Sequence, residues 1–521
     1  MSPRKDKYSK LLCRFYEPLI LLAALGKTRG THTSSPQDTS TTQSKRRRLL
    51  RNLSYLCDCE KGGETTSSIG LEENDQCFIF WVASNATRPR ARLKIVKFLQ
   101  RSLEQIEVII VSQEQGPRSK EALKEEFIIK CIEFVEPRVK KEIKLLSKAI
   151  EKCEKHLDSA KLGQDSRLNV WLSQFSQEGR RSRADLCFQA YNQRKAPEMS
   201  WLEDKINTGN EDTGLDSQTL SFSSVRHYLG RLAAHVRRPK EVIEDSIALG
   251  HLFDEYEIRL VELRPSSKRP EADSLTELHS ILGRMLPAGE PKLDEYKEAL
   301  TSLDQKFNIA IRVRHTYTDK NFQPRIHAEI QILDHFYANR LSFAGNDSYI
   351  GCSKPACYCC HLYFQHHPSS PVVPESHQNI YLNWGLPDLP RGTEDPGYIP
   401  QRDLLNKMVN RIRQDALEQI RQKAGPLKWH ADSLTEFTER AMAVPSTMKH
   451  PGESSLSRQL AKFHKDSALD RDASNMGSQV QVLEEASESS SEETTYSTRE
   501  RLGESTLDFD SDMDSEGGVV L

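Results

Sequence analysis

The chain has 521 residues, 37% of them hydrophobic and 28% charged, with a mean hydropathy of −0.63. That length is enough for several domains, and that balance excludes an integral membrane protein while fitting globular parts joined to polar stretches. Lys and Arg number 73 against 75 Asp and Glu, so the chain as a whole is no polybasic nucleic-acid binder, yet residues 1–52 hold twelve cations against three acids and residues 471–521 three against thirteen.

The N-terminal apolar run 19–25 is too short to span a bilayer, which takes about 20 apolar residues. Arg14, Glu17 and Pro18 spoil it as a signal-peptide core, so it reads as a short helix packed on the protein. Residues 28–44 are Ser/Thr-rich and read as a linker, ending in the basic run 45–51, which resembles a nuclear import signal. Residues 53–115 mix a strand-like run at 77–82 with a helical run at 93–103, a small α/β segment. Residues 116–270 read as mainly helical. There Val139, Ile143, Leu146, Ile150, Cys153 and Leu157 form a short heptad seam, fit to pack on another helix of this chain. The helical reading runs on through 221–264, and a capping box at Ser274–Glu277 opens the next helix, with a domain boundary near residue 270.

Over 271–435 the period changes. A helix at 292–305 leads to a strand at 309–313, a helix from 327 to 340, a strand at 349–352, a helix opening near Pro355, a strand at 380–384 and a helix at 401–424 with Gly425 at its C′ position. Alternation of this kind predicts an α/β/α sandwich with a mixed sheet. Beyond residue 440 periodicity fades, and the acidic Ser-rich stretch 484–516 reads as disordered.

Eleven cysteines, an odd count without a secretory signal, point to a reducing intracellular compartment rather than a disulfide framework. Four of them, Cys352, Cys357, Cys359 and Cys360, fall within nine residues. Thirty residues before Cys357 stands His327-Ala328-Glu329. One histidine and two thiolates form an established catalytic zinc set, which leaves a fourth position for water. A carboxylate outside the ligand set then moves protons. Cys357 and Cys360, three apart, project from one helix face, with Pro355 suited to the first turn and Ser353 able to cap it. Two residues apart on an ideal helix diverge by about 200°, so His327 and Glu329 share a site only where a helix begins. A closed structural zinc knuckle, with Cys352 or His361 as fourth ligand, is the competing reading.

The stretch HAEIQIL…YIGCSKPACYCC resembles the zinc-dependent cytidine deaminase superfamily, and within it the OTT-type nucleic acid/nucleotide deaminases, a family abundant in fungi. The resemblance covers about residues 305–385. It implies a cytidine-deaminase-like α/β/α sandwich and hydrolytic loss of an exocyclic amine from a cytosine or adenine base. It also implies Zn²⁺ held by His327, Cys357 and Cys360, with Glu329 as proton shuttle and a nucleic acid or nucleotide as substrate. Many members carry Pro directly before the first ligand cysteine, where this chain has Ala356. Tyr381, Asn383 and Trp384 are candidates for stacking on a base. His315, His335, His361, His366 and His367 read as surface or supporting residues. Lys407, Arg411, Arg413, Arg421 and Lys423 could hold phosphates, but Asp403, Asp415 and Glu418 interrupt them. A non-catalytic interaction protein is the alternative function. In either reading the helical region or the charged arms could recruit a protein partner, no membrane is expected, and the location is nuclear or cytoplasmic.

Overall fold

A computed structural model describes residues 6–33, 40–112, 117–157, 163–175, 181–207, 217–319 and 322–427. The acidic arm 440–521 expected to be disordered lies outside the described residues. The chain runs through α1 (Lys7–Leu25), α2 (Thr42–Cys57), β1 (Ser67–Glu73), β2 (Phe78–Ser84), α3 (Pro89–Val111), α4 (Pro117–Phe134) and α5 (Glu136–Glu154). Next come α6 (Gln164–Ser173), α7 (Arg183–Gln193), α8 (Pro197–Asn207), α9 (Ser217–Ala248), β3 (Tyr256–Leu260), α10 (Leu278–Met285), α11 (Leu293–Phe307) and α12 (Ile309–Thr318). The described part closes with α13 (Ala328–Asn339), β4 (Ile350–Cys352), α14 (Tyr358–His366) and α15 (Tyr398–Arg421).

The four strands form one mixed sheet in the order β3-β2-β1-β4, with β1 antiparallel to both neighbours and β2 parallel to β3. Alternation along β1 sends Ile69 and Leu71 to one face, where they meet Leu49, Leu50 and Leu53 of α2 and Ile95 and Leu99 of α3. On that face Gly351 lets α2 lie directly on β4, since a Cβ there would stand 2.4 Å from the Leu50 carbonyl carbon. Gly70 faces the other way, and a Cβ on it would stand 2.7 Å from Ile332 of α13. The sheet is thus covered by helices on both sides, as the sandwich reading expects.

The boundary placed near residue 270 is crossed by this sheet. β1, β2 and β3 precede it and only β4 follows, so the segments 53–115, 116–270 and 271–435 share one set of strands. Residues 256–260, read as helical, are β3. The run 309–313, read as a strand, is the start of α12: Ile309 and Val313 are buried one helical turn apart while Ile311 is half exposed. Residues 380–384 make a turn, with the Trp384 N–H donating to the Tyr381 carbonyl at 3.1 Å. α10 begins at Leu278 with Glu277 as its N-cap; Asp273 and Thr276 bond each other in the turn before it, so the capping box is absent. Lys423, not Gly425, takes the left-handed conformation after α15 (φ 51°).

The N-terminal run proves longer than expected. α1 continues through Pro18 and is buried nearly all round, in the same core as α15, α12 and α10. Residues 28–33 of the expected linker lie along 376–379, where Thr28 Oγ1 donates to Asn379 Oδ1 at 2.7 Å. The basic run belongs to α2 and is engaged in ion pairs: Arg47 holds Asp347 at 2.6 Å, Arg48 holds Asp245 at 2.6 Å and Arg51 lies 3.8 Å from Glu375. Among the described residues no helix is long and apolar enough to cross a membrane.

The α5 seam packs against α9, with Val139, Ile143, Leu146, Ile150 and Cys153 all buried in a second core built by α4 to α9. At its edge is a buried charge network. Glu142 accepts from Arg231 Nε at 2.7 Å, from His235 Nε2 at 2.8 Å and from Arg138 Nε at 3.3 Å. Arg138 also donates to the Asp58 carbonyl at the end of α2 and lies over the Tyr55 ring. Charges so placed are tolerated only when paired and hydrogen-bonded. The network therefore fixes the helical region onto α2, and through α2 onto the sheet.

Candidate metal centre

The site forms where the carboxyl ends of β2 and β4 meet the starts of α13 and α14, the usual position for a ligand site in an open α/β sheet. His327 is the N-cap of α13, in extended conformation (φ −68°, ψ 149°). That backbone takes the imidazole off the helix surface, so Glu329, the second residue of α13, reaches the same site despite the two-residue spacing. Cys357 is the N-cap of α14, and its Sγ accepts the Cys360 N–H at 3.4 Å. Ser353, expected as the cap, instead accepts the Ser67 N–H with its hydroxyl.

His327 Nδ1 lies 3.3 Å from Cys360 Sγ and 3.7 Å from Cys357 Sγ, and the three ligand atoms fall within 4.8 Å of one another. In a tetrahedral zinc site with ordinary Zn–N and Zn–S bonds, nitrogen and sulfur ligands stand about 3.6 Å apart. The donor set and its spacing therefore fit zinc. All three residues are buried, as is Glu329 at 5% exposure. The Cys360 thiol and the Glu329 carboxylate are within hydrogen-bonding reach of each other.

The electrostatics suit such a group. Burial would push the Cys357 thiol up, but hydrogen bonding from Cys360 and the His327 charge outweigh it and hold Cys357 well below the ordinary thiol range. Burial and the neighbouring Cys357 thiolate raise Cys360. Glu329 is raised by burial, against the pull of His327, which favours a carboxyl able to hold a proton. The positive ends of α13 and α14 both face the thiolates.

Three supporting contacts escaped sequence reasoning. Asn85, just past β2, accepts the Ala328 N–H at 2.9 Å and donates to the Gly63 carbonyl at 2.9 Å, bracing the backbone between His327 and Glu329. Gln331 donates to the carbonyls of Ile326 and Ser84 at 2.8 and 3.2 Å, fastening α13 to the end of β2. Gln331 follows His327 by one helical turn and was open to that inference, whereas nothing near Asn85 in sequence announces its partner. The third is Trp384, a candidate for base stacking. It is fully buried, and its indole N–H donates to Cys360 Sγ at 3.2 Å, so it packs against Cys360 instead of standing in an open cleft. Phe15 of α1 packs on the same indole at 5.4 Å between ring centroids.

The remaining candidates lie elsewhere. Cys352 contacts Ser68 Oγ at 3.3 Å, His361 Nδ1 donates to the Pro374 carbonyl, His367 bonds Ser369, and His335 packs on Trp81. Cys359 is buried with its thiol pushed well up by burial. Tyr381 and Asn383 remain partly exposed. On α15 Arg411 pairs with Asp415 and Arg421 with Glu418, which makes that helix a mixed, solvated face.

A mixed sheet lies between helices, and one histidine and two cysteines, with a carboxylate beside them, gather at two helix starts as a group able to hold a metal. Residues 326–388 match the family described as OTT_1508_deam-like deaminase, and this match supports a deaminase activity for the segment. No curated protein and no solved structure matches the chain.

Proposed function

We propose that the protein is a zinc-dependent hydrolytic deaminase acting on a cytosine or adenine base in a nucleic acid or nucleotide, with His327, Cys357 and Cys360 as ligands and Glu329 as proton carrier. The observation that carries this reading is the position of Glu329: a buried carboxyl two residues from His327 and beside Cys360, next to a group able to hold a metal. His327, Cys357 and Cys360 would hold the zinc, which would supply Lewis acidity to lower the pKa of the attacking water. Glu329 takes a proton from the attacking water and delivers it to the ring nitrogen, then takes the second from the hydroxyl added to the ring carbon and gives it to the departing amine. The base exchanges its C–NH₂ for C=O and ammonia leaves. The closed-knuckle alternative has less support, because Cys352 and His361 are turned to other partners.

A screen of free nucleosides, nucleotides and single-stranded DNA and RNA with the zinc-loaded chain tests the proposal. Ammonia release is expected from the parent, and Glu329→Gln should keep its zinc while turnover falls by about 10²–10⁴. Equal turnover by Glu329→Gln would remove the carboxylate from the mechanism, and absence of ammonia release from every substrate would refute the deaminase reading.

A further inference from the structure

α3 carries a run of cations that the candidate centre does not use. From Arg88 to Leu103 there is no acid, and Arg88, Arg90, Lys94, Lys97 and Arg101 are all exposed. Successive residues of a helix turn by about 100°, which gathers Arg90, Lys94, Lys97 and Arg101 into an arc of about 60°. The opposite side holds the buried Ile95, Leu99 and Ile106. Among the described residues Arg88, Arg90, Lys97 and Arg101 pair with no carboxylate, and Lys94 lies over the Phe134 ring. The contrast is with α15, where Arg411 and Arg421 are matched by acids one turn away. The N-terminal end of α3 follows closely in the chain on a residue that supports the site. Arg88 caps α3 three residues after Asn85, a span of at most about 11 Å, and Asn85 holds the backbone between His327 and Glu329.

We propose that the exposed face of α3 is a track for the phosphate backbone of a single-stranded nucleic acid whose reactive base enters the His327/Glu329 site. This rests on the deaminase reading and narrows its substrate to a polymer. From residue 90 to 101 the helix rises about 16 Å, a length over which four cations on successive turns meet several phosphates but a mononucleotide meets one or two. The burial of His327 and Glu329 selects against a paired base, which cannot reach them without leaving its stack.

The test uses the full-length, zinc-loaded Glu329→Gln chain, which binds without turnover. Its affinity for fluorescent single strands of about 15 nucleotides, both DNA and RNA, is followed by anisotropy. Four phosphate contacts at about 0.7 each predict a slope near −3 for log affinity against log salt. Adding Arg90→Gln, Lys97→Gln and Arg101→Gln together should weaken binding by at least about tenfold at low salt and bring the slope to about −1. Lys94 is left in place because of its contact with Phe134. Zinc content and circular dichroism establish that the substituted chain is folded. Absence of strand binding, or binding indifferent to the triple substitution, overturns the track. An acidic peptide of equal charge bound as tightly as the strand also overturns it, in favour of a protein partner. The two readings fail separately. Salt-dependent strand binding with no deamination of any base by the parent would leave the track and sink the enzyme. Turnover of free nucleosides with strand affinity unmoved by the substitutions would do the reverse.

Discussion

Replacing Trp384 by Phe isolates a single hydrogen bond at the metal group. The indole N–H donates to Cys360 Sγ at 3.2 Å, and nothing else about the residue's placement depends on that nitrogen. The Trp384 N–H is held by the Tyr381 carbonyl and its own carbonyl accepts from the Tyr16 hydroxyl, while Phe15 and Tyr363 flank the ring with centroids at 5.4 and 6.2 Å. A phenyl ring keeps those contacts. The lost bond is to a sulfur that carries negative charge when it binds metal, and bonds to charged groups contribute about 1.5–3 kcal/mol. Outer partners of metal ligands typically contribute about 10–100-fold in affinity, which is about 1.4–2.7 kcal/mol. The two scales agree, so zinc affinity should fall by about 10–100-fold in Trp384→Phe. Competition against a chromogenic chelator reads this directly, without recourse to turnover. Phe15→Leu serves as the control, since it loosens the same packing and leaves the hydrogen bond intact. If Trp384→Phe binds zinc as tightly as the parent, or Phe15→Leu weakens it as much, the N–H to thiolate bond has no part in holding the metal.

Glu142→Ala would leave the Arg138 and Arg231 guanidinia, 2% and 3% exposed, with Asp58 at 3.7 Å from Arg138 as the remaining acid, and should cost about 3–5 kcal/mol in urea unfolding. A loss under about 1 kcal/mol would mean that the network contributes no more than surface pairs do. Asp334 accepts from the Tyr363 hydroxyl, near His367 and Arg264, and burial lifts its carboxyl to about 6. Because the folded state then holds its proton more tightly than the unfolded chain, this group's stabilisation is complete at low pH and is lost as pH rises through about 6. Asp334→Asn should therefore flatten the fall in stability between about pH 4 and 6 and exceed the parent at pH 7 by up to about 3 kcal/mol; equal pH slopes in both chains would refute this.

That His327, Cys357 and Cys360 come together was legible because each is placed by its immediate neighbours. Cys357 and Cys360 need only the first turn of α14, and His327 and Glu329 need only the start of α13, so spacing together with helix-start geometry was enough to gather them. The sheet was not legible in the same way. β1 pairs with β4 across more than 280 residues, and no local period says which strand lies beside which. Where periods overlap, the wrong one can be taken. Ile309, Ile311 and Val313 alternate like a strand, but burial selects the pair four apart. Tyr256 to Leu260 alternates in exposure as a strand should, yet the apolar spacing of the long helix before it was carried through it. Basic residues were also ambiguous. The run at 45–51 has the composition of a signal, and only the acids brought to it from residues 245 and 347 show it to be part of the core's edge.

These long-range contacts bear on what the deaminase segment is. Residues 326–388 hold His327, Cys357, Cys360 and Glu329, yet they hold little of what keeps them in place. The backbone between His327 and Glu329 is braced by Asn85, α13 lies on Gly70 of β1, and Trp384, which supports Cys360, is packed from its other side by Phe15 of α1. β4 supplies one strand of four, and α2 reaches it through the close approach at Gly351. Exposed alone, Ile332, Phe336 and Trp384 would face water, at a cost of about 1.5–3 kcal/mol for each fully uncovered large apolar side chain. The motif-bearing segment is therefore no independent domain with helices appended. The first 270 residues supply three strands of its sheet, one wall of its core and the cationic face of α3, so mutations far from the motif in sequence act on the site through first-neighbour contacts.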